Sequence, residues 1–184
     1  MIEGTSKFTE TTKNYEPQNT LFLILIGGND FVGGRSVDAV ISDVNQSLQQ
    51  LSNSGAKNIV ILKLPNVAYT PMIRSANPDP DKYKEKVSQY AAIISKYNTG
   101  LSSLKDTYPE LNIKLFDAYA LFDAVVQDPN KFALTNVQDS CLKNNVICIN
   151  PSKYMFWDGV HPTTATNRIL SDALTTFIKS NFKL

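Results

Sequence analysis

The chain has few of the features that would assign it at once. It holds one histidine, one tryptophan and two cysteines in 184 residues, and its net charge is +1. No basic run or stripe is present, which argues against nucleic acid as the main partner. The longest unbroken aliphatic and aromatic run, Leu21 to Ile26, is far short of the roughly 20 residues a membrane helix needs. Met1-Ile2-Glu3-Gly4-Thr5 is polar and does not read as a signal peptide. With two cysteines and one histidine, a four-ligand zinc site of that type cannot be completed, and no metal or cofactor is expected. There is no internal repeat, low-complexity tract or linker. The composition, 42% hydrophobic, is that of an ordinary globular protein, and the length suits one domain over residues 1–184.

Cys141 and Cys148 lie in one Asn-rich segment with Leu142 to Ile147 between them. They can close a small disulfide ring, worth roughly 2–3 kcal/mol by the loop-entropy model. A bridge implies an oxidising compartment, secreted or periplasmic; the alternative is two unrelated thiols in a cytosolic protein.

Hydrophobic periodicity gives an alternating pattern. Leu21–Ile26, followed by Gly27-Gly28, reads as a strand buried on both faces. Ser36 caps a helix with Val37, Val40, Ile41, Val44, Leu48 and Leu51 on its apolar stripe and Gly55 as the stop. Asn58 to Leu64 is a second strand. Residues 65–81 carry four prolines and read as a loop. Asp81 is placed as the cap of a long helix bearing Tyr83, Val87, Tyr90, Ile94, Tyr97, Leu101 and Leu104 on its inner face. Asn112–Phe116 is a third strand, Ala118–Gln127 a helix, and the segment from there to Trp157 a long loop. A last helix over about Thr164–Phe182 buries Ile169, Ala173, Leu174, Phe177 and Ile178. Strand-helix alternation predicts an α/β fold: a parallel sheet, helices on both faces, and a site at the strand C-termini. With Leu21–Ile26 first and two strands after it, that strand has at most one neighbour. Its far edge then calls for a cover, from residues 1–19 or from another segment.

Two short motifs fall where such a site belongs. The lone histidine sits in Trp157-Asp158-Gly159-Val160-His161-Pro162-Thr163. A carboxylate on one ring nitrogen of His161 fixes the tautomer and leaves the other nitrogen as a base. Pro162 suits the first position of the following helix. Gly27-Gly28-Asn29-Asp30 closes the first strand; glycine allows close backbone approach, and an asparagine amide can donate to an oxyanion. Each motif alone also reads as a plain turn or a solvated loop histidine.

Together the two motifs resemble the third and fifth blocks of SGNH (GDSL-type) esterases and lipases, Gly-x-Asn-Asp and Asp-x-x-His. Leu64-Pro65-Asn66-Val67 with Thr70-Pro71, Phe116-Asp117-Ala118-Tyr119, and Cys148-Ile149-Asn150-Pro151 ahead of Phe156-Trp157-Asp158 extend the similarity over about residues 20–180. The resemblance implies an SGNH/flavodoxin-like three-layer sandwich with His161 as base, Asp158 as its orienter and Asn29 as oxyanion donor. Gly27, Asp30 and Thr163 would support the site. It implies ester hydrolysis without a cofactor, on a lipid or lysophospholipid, or acyl transfer to an alcohol, with peripheral membrane contact. The Pro-rich segment 65–81 and segment 128–156 would shape an acyl pocket. A carbohydrate O-acetyl esterase and a non-catalytic binding or regulatory remnant are the alternatives. The family's Gly-Asp-Ser block is not found. Gly4-Thr5-Ser6 echoes it faintly but lies too close to Leu21 for the strand, helix and strand the family places between. The expectation is a chain lacking the first strands, with its nucleophile on a complementing N-terminal segment of the same hydrolase.

Overall fold

The structure is a computed structural model, and it describes Thr5 and residues 16–182. In chain order the elements are β1 (Leu21–Ile24), α1 (Gly28–Val32), α2 (Val37–Asn53), β2 (Asn58–Leu62), α3 (Pro71–Ala76) and α4 (Pro80–Thr107). β3 (Asn112–Phe116), α5 (Ala118–Gln127), β4 (Asn136–Ser140), β5 (Leu142–Lys143), β6 (Val146–Ile147), β7 (Tyr154–Phe156) and α6 (Thr164–Asn181) follow. The described chain forms two compact units. One holds residues up to Leu64 with Ile93–Asp117, the other Pro65–Ala92 with Ala118 onward.

The first unit is a parallel α/β layer. β1, β2 and β3 pair in that order, all parallel, with Leu23 opposite Val60 and Val60 opposite Lys114. β2 is central, and its Ile59, Val60 and Ile61 are buried. The apolar stripe of α2 buries Val40, Val44, Leu48 and Leu51, and the Ser36 hydroxyl accepts the Ala39 N–H to cap it. Gly100 of α4 lets that helix approach α2 closely, since a Cβ there would lie 2.8 Å from Ile41 Cδ1. The α/β reading with a parallel sheet holds.

β1 differs from the expected strand. It ends at Ile24, and Leu23 and Leu25 are each 52% exposed, so it is not buried on both faces. Among the described residues its strand neighbour is β2. The expected cover by residues 1–19 falls, apart from Thr5 and residues 16–19, outside the described residues.

In the second unit Val125, Leu134, Met155 and Phe156 form the core, with Phe122 and Ile169 packed on it. The expected loops are more structured than composition suggested. Within 65–81, Pro71 opens α3 at a position where its missing N–H is no loss. The long helix starts at Pro80, and Asp79, not Asp81, receives the free N–H groups of Asp81 and Lys82. Within 128–156, β4 pairs parallel with β7, and β5 and β6 form a hairpin. Its two turn residues, Asn144 and Asn145, both have positive φ, 50° and 63°, the conformation that asparagine tolerates in a tight hairpin. Local turn chemistry made the β5–β6 hairpin, whose two-residue strands are too short to carry a periodic signal.

Cys141 and Cys148 are bridged across this hairpin, with Cα atoms 4.8 Å apart. Titration of the unfolded, unreduced protein should find no free thiol; two free thiols would reject the bridge.

Candidate active site

Asp158 and His161 meet in the second unit. His161 Nδ1 lies 2.9 Å from Asp158 Oδ2 and 3.1 Å from Oδ1. Facing a carboxylate, Nδ1 carries the proton, which leaves the Nε2 lone pair outward. The ring is 75% exposed, so Nε2 is accessible as a base. Oδ1 also accepts the backbone N–H groups of Val160 at 2.8 Å and His161 at 2.7 Å. One carboxylate therefore holds both the loop and the ring.

These contacts set the acidity of Asp158. Burial pushes its carboxyl up, but the His161 and Val160 N–H groups and the His161 ring outweigh this and bring it to about 2, from an ordinary 3.8. A carboxylate depressed in the folded state contributes stability that is present above the unfolded value and lost as pH falls through the folded one. The melting-temperature gap between wild type and Asp158→Asn should therefore be full at pH 5 and shrink between about pH 4 and 2. A gap unchanged across that window would remove Asp158 as the loop's charged anchor.

The loop is clamped at its base. Trp157 N–H donates to the His161 carbonyl at 2.8 Å, and Met72 N–H of α3 donates to the Gly159 carbonyl at 2.8 Å. The stapled hairpin holds the adjoining strand: Cys141 N–H reaches Phe156 O at 3.0 Å, and Leu142 N–H reaches Trp157 O at 2.7 Å. Thr163, buried, is the N-cap of α6; its Oγ1 accepts the Thr166 N–H and donates to Tyr154 O at 2.6 Å. Pro162 is thus one residue ahead of the cap, not the first helical residue as expected. It bridges to Phe156 instead.

Asn29, Gly27 and Asp30 lie in the first unit. Gly27-Gly28-Asn29-Asp30 is not a plain turn: Gly27 caps α1 in the left-handed region at φ 112°, and Asn29 and Asp30 are in its first turn. A Cβ on Gly27 would lie 3.1–3.3 Å from Phe31, Leu64 and Tyr97, so both backbone and packing demand glycine. The Asn29 side chain is exposed and makes no hydrogen bond to the described residues, leaving its amide free to donate.

Several supporting residues had weak sequence signals. Arg35 grips Asp30 at 2.7 Å and Asp43 at 2.8 Å, and Tyr97 O–H donates to Ile26 O at 3.1 Å. Buried Asn98 accepts from Leu64 N–H at 2.8 Å and donates to Leu64 O at 3.1 Å, fixing the chain as it leaves β2. Its signal was a polar residue among the apolar positions of α4. The brace from Met72 to Gly159 is a backbone contact and left no signal. Ser6, the faint echo of a nucleophile, lies outside the described residues. Among the described residues no three His, Cys, Asp or Glu side chains group as metal ligands, and no helix is long and apolar enough to cross a membrane.

A parallel α/β sheet, with a histidine held by an aspartate just ahead of the last helix, fits the class of SGNH-like α/β proteins. It belongs to the GDSL-like lipase/acylhydrolase family, whose profile matches residues 2–174. The protein named thermolabile hemolysin of Vibrio parahaemolyticus is 30% identical over 185 residues, covering 91% of this chain and 43% of that protein. A GDSL esterase/lipase of Arabidopsis thaliana is 28% identical over 203 residues, covering 94% of this chain and 56% of the relative. The phosphatidylcholine-sterol acyltransferase of Aeromonas hydrophila is 22% identical, covering 92% of this chain and 64% of that enzyme. This chain therefore spans about half the length of its relatives. A solved structure of a lipolytic G-D-S-L family member from Veillonella parvula shares the fold, with a TM-score of 0.61 over 97% of this chain and 73% of that one, at 14% identity.

Proposed function

We propose that this chain carries the base, the orienting acid and an oxyanion donor of a serine hydrolase acting on carboxylic esters, with a lipid or lysophospholipid as substrate. The observation that carries the reading is the Asp158–His161 pair, with Nδ1 held at 2.9 Å and the ring otherwise open to solvent. The names of the relatives, an esterase/lipase, a hemolysin and an acyltransferase, agree with ester chemistry on lipids. The serine comes from a Gly-Asp-Ser-bearing N-terminal segment of the same hydrolase. Its hydroxyl attacks the ester carbonyl while His161 Nε2 takes the proton. The proton then passes to the leaving alcohol, and water or a second alcohol releases the acyl group by the reverse path. Asp158 holds the ring and stabilises the imidazolium. The Asn29 amide donates to the tetrahedral oxyanion. The disulfide favours a secreted or periplasmic site of action.

In the enzyme completed by that segment, Asn29→Ala should lower kcat on the order of 10²–10³, with KM little changed. Asn29 is exposed, so the fold should tolerate the change, and a melting curve checks this. A kcat equal to wild type in the folded variant would remove Asn29 from the oxyanion site.

A further inference from the structure

The second unit contains a cavity of about 540 Å³, bordered by residues of segment 128–156 and of α6. Its walls include Phe132, Pro151, Trp157 and Ile169, and Arg168 and Asp172 of α6 line it as well. The volume is within the ordinary range for small-molecule sites, roughly 300–1,000 Å³, and apolar walls with a few polar groups are their usual composition.

Arg168 and Asp172 stand four residues apart, on one face of α6. That spacing would normally let them pair with each other. Among the described residues neither side chain makes an ion pair or a hydrogen bond. The cavity thus offers an apolar wall, one unused cation and one unused anion. A fatty acid would satisfy the arginine and be repelled by the aspartate; a cationic amphiphile would meet the reverse. His161 is not among the lining residues, so this is not the proposed reaction centre, although Trp157 precedes Asp158 directly.

We propose that this cavity binds a single-chain amphiphile with a zwitterionic head. The chain lies against Phe132, Pro151, Trp157 and Ile169, the anionic end of the head pairs with Arg168, and the cationic end with Asp172.

Trp157 is the only tryptophan in the protein and lines this cavity. It also borders a smaller pocket with Pro162 and Asn167, which Arg168, Ile169 and Asp172 do not line, so variants at those three positions assign an emission change to this cavity. The isolated chain is titrated with dodecylphosphocholine below its micelle concentration, beside dodecyl sulfate, dodecyltrimethylammonium and dodecyl maltoside. The zwitterion should change Trp157 emission saturably, with one molecule bound. Arg168→Gln and Asp172→Asn, both exposed, should each weaken it about tenfold, the loss of one charge-assisted contact. Ile169→Asp should abolish the response. No saturable change with the zwitterion would overturn the site. Equal affinity for a singly charged or uncharged head, or an unaltered affinity in folded Arg168→Gln and Asp172→Asn, would overturn the head-group assignment. No turnover is required, so failure here leaves the hydrolase reading standing, and failure of that reading leaves this one testable.

Discussion

Replacing His161 with alanine in the completed enzyme should lower kcat on the order of 10⁶, and Asp158→Asn on the order of 10⁴, the losses such triads suffer elsewhere. The two act through one unit. His161→Ala removes the acceptor of the serine proton. Asp158→Asn keeps a side chain of similar shape but takes away the carboxylate facing Nδ1 at 2.9 Å. An amide can donate to Nδ1, which then favours the tautomer whose proton is on the wrong nitrogen. The double variant should be scarcely worse than His161→Ala alone, because residues of one catalytic unit are not additive. The His161 side chain is 75% exposed, so its variant should melt close to wild type. Asp158→Asn also loses the charge held by two backbone N–H groups and should melt lower. Turnover is therefore compared at equal folded fraction. Full activity in well-folded His161→Ala would end the hydrolase proposal.

The second large effect is all-or-none. We expect the 184-residue chain alone to show no ester turnover and no covalent labelling by a fluorophosphonate probe, since its sequence carries no Gly-Asp-Ser block. Adding the N-terminal segment that bears this block should restore both, and intact mass should place the label on the added polypeptide. β1 offers a place for it to join: Leu23 on the strand and Leu25 just beyond its end are half exposed, where an incoming apolar face would remove them from water at about 25 cal/mol per Å². Leu23→Asp should then weaken complementation more than it weakens the fold. Labelling of the lone chain would identify a serine of its own, Ser6 being the first to examine. Labelling of neither preparation would favour a binding protein built on the same fold.

Much of this architecture was legible because it depends on short-range chemistry. Asn112–Phe116 and Ala118–Gln127 appear over the expected residues, and Ser36 caps its helix, because an apolar stripe and a hydroxyl cap are properties of a dozen neighbouring residues. The Asp158–His161 contact was legible for the same reason: the two are three residues apart. What escaped depends on partners far along the chain. Nothing near Met72 marks it as the brace of Gly159, which lies 87 positions on (159 − 72). β4 is mostly polar, β7 has three residues, and each finds its pairing partner across the stapled hairpin, so neither left a periodic signal. β1 was misjudged through its composition. Six apolar residues in a row promise burial on both faces, and the described chain supplies less cover than that. The roles at the site rested on resemblance to a family, since a Gly-x-Asn-Asp turn and an Asp-x-x-His loop are each common without chemistry.

The two amides captured by Asp158 have a consequence for the behaviour of this loop in time. Surface loops usually trade their amide hydrogens with water almost freely. Val160 and His161 should not, although both residues face solvent. Their N–H groups point inward at one carboxylate, and exchange must wait until the ring of His161 and the turn let go together. In deuterated water these two positions should lag behind their neighbours, and in Asp158→Asn they should catch up. The segment that would meet a substrate is thus ordered before one arrives. The entropy of arranging the base is lost during folding, once, and not at each encounter.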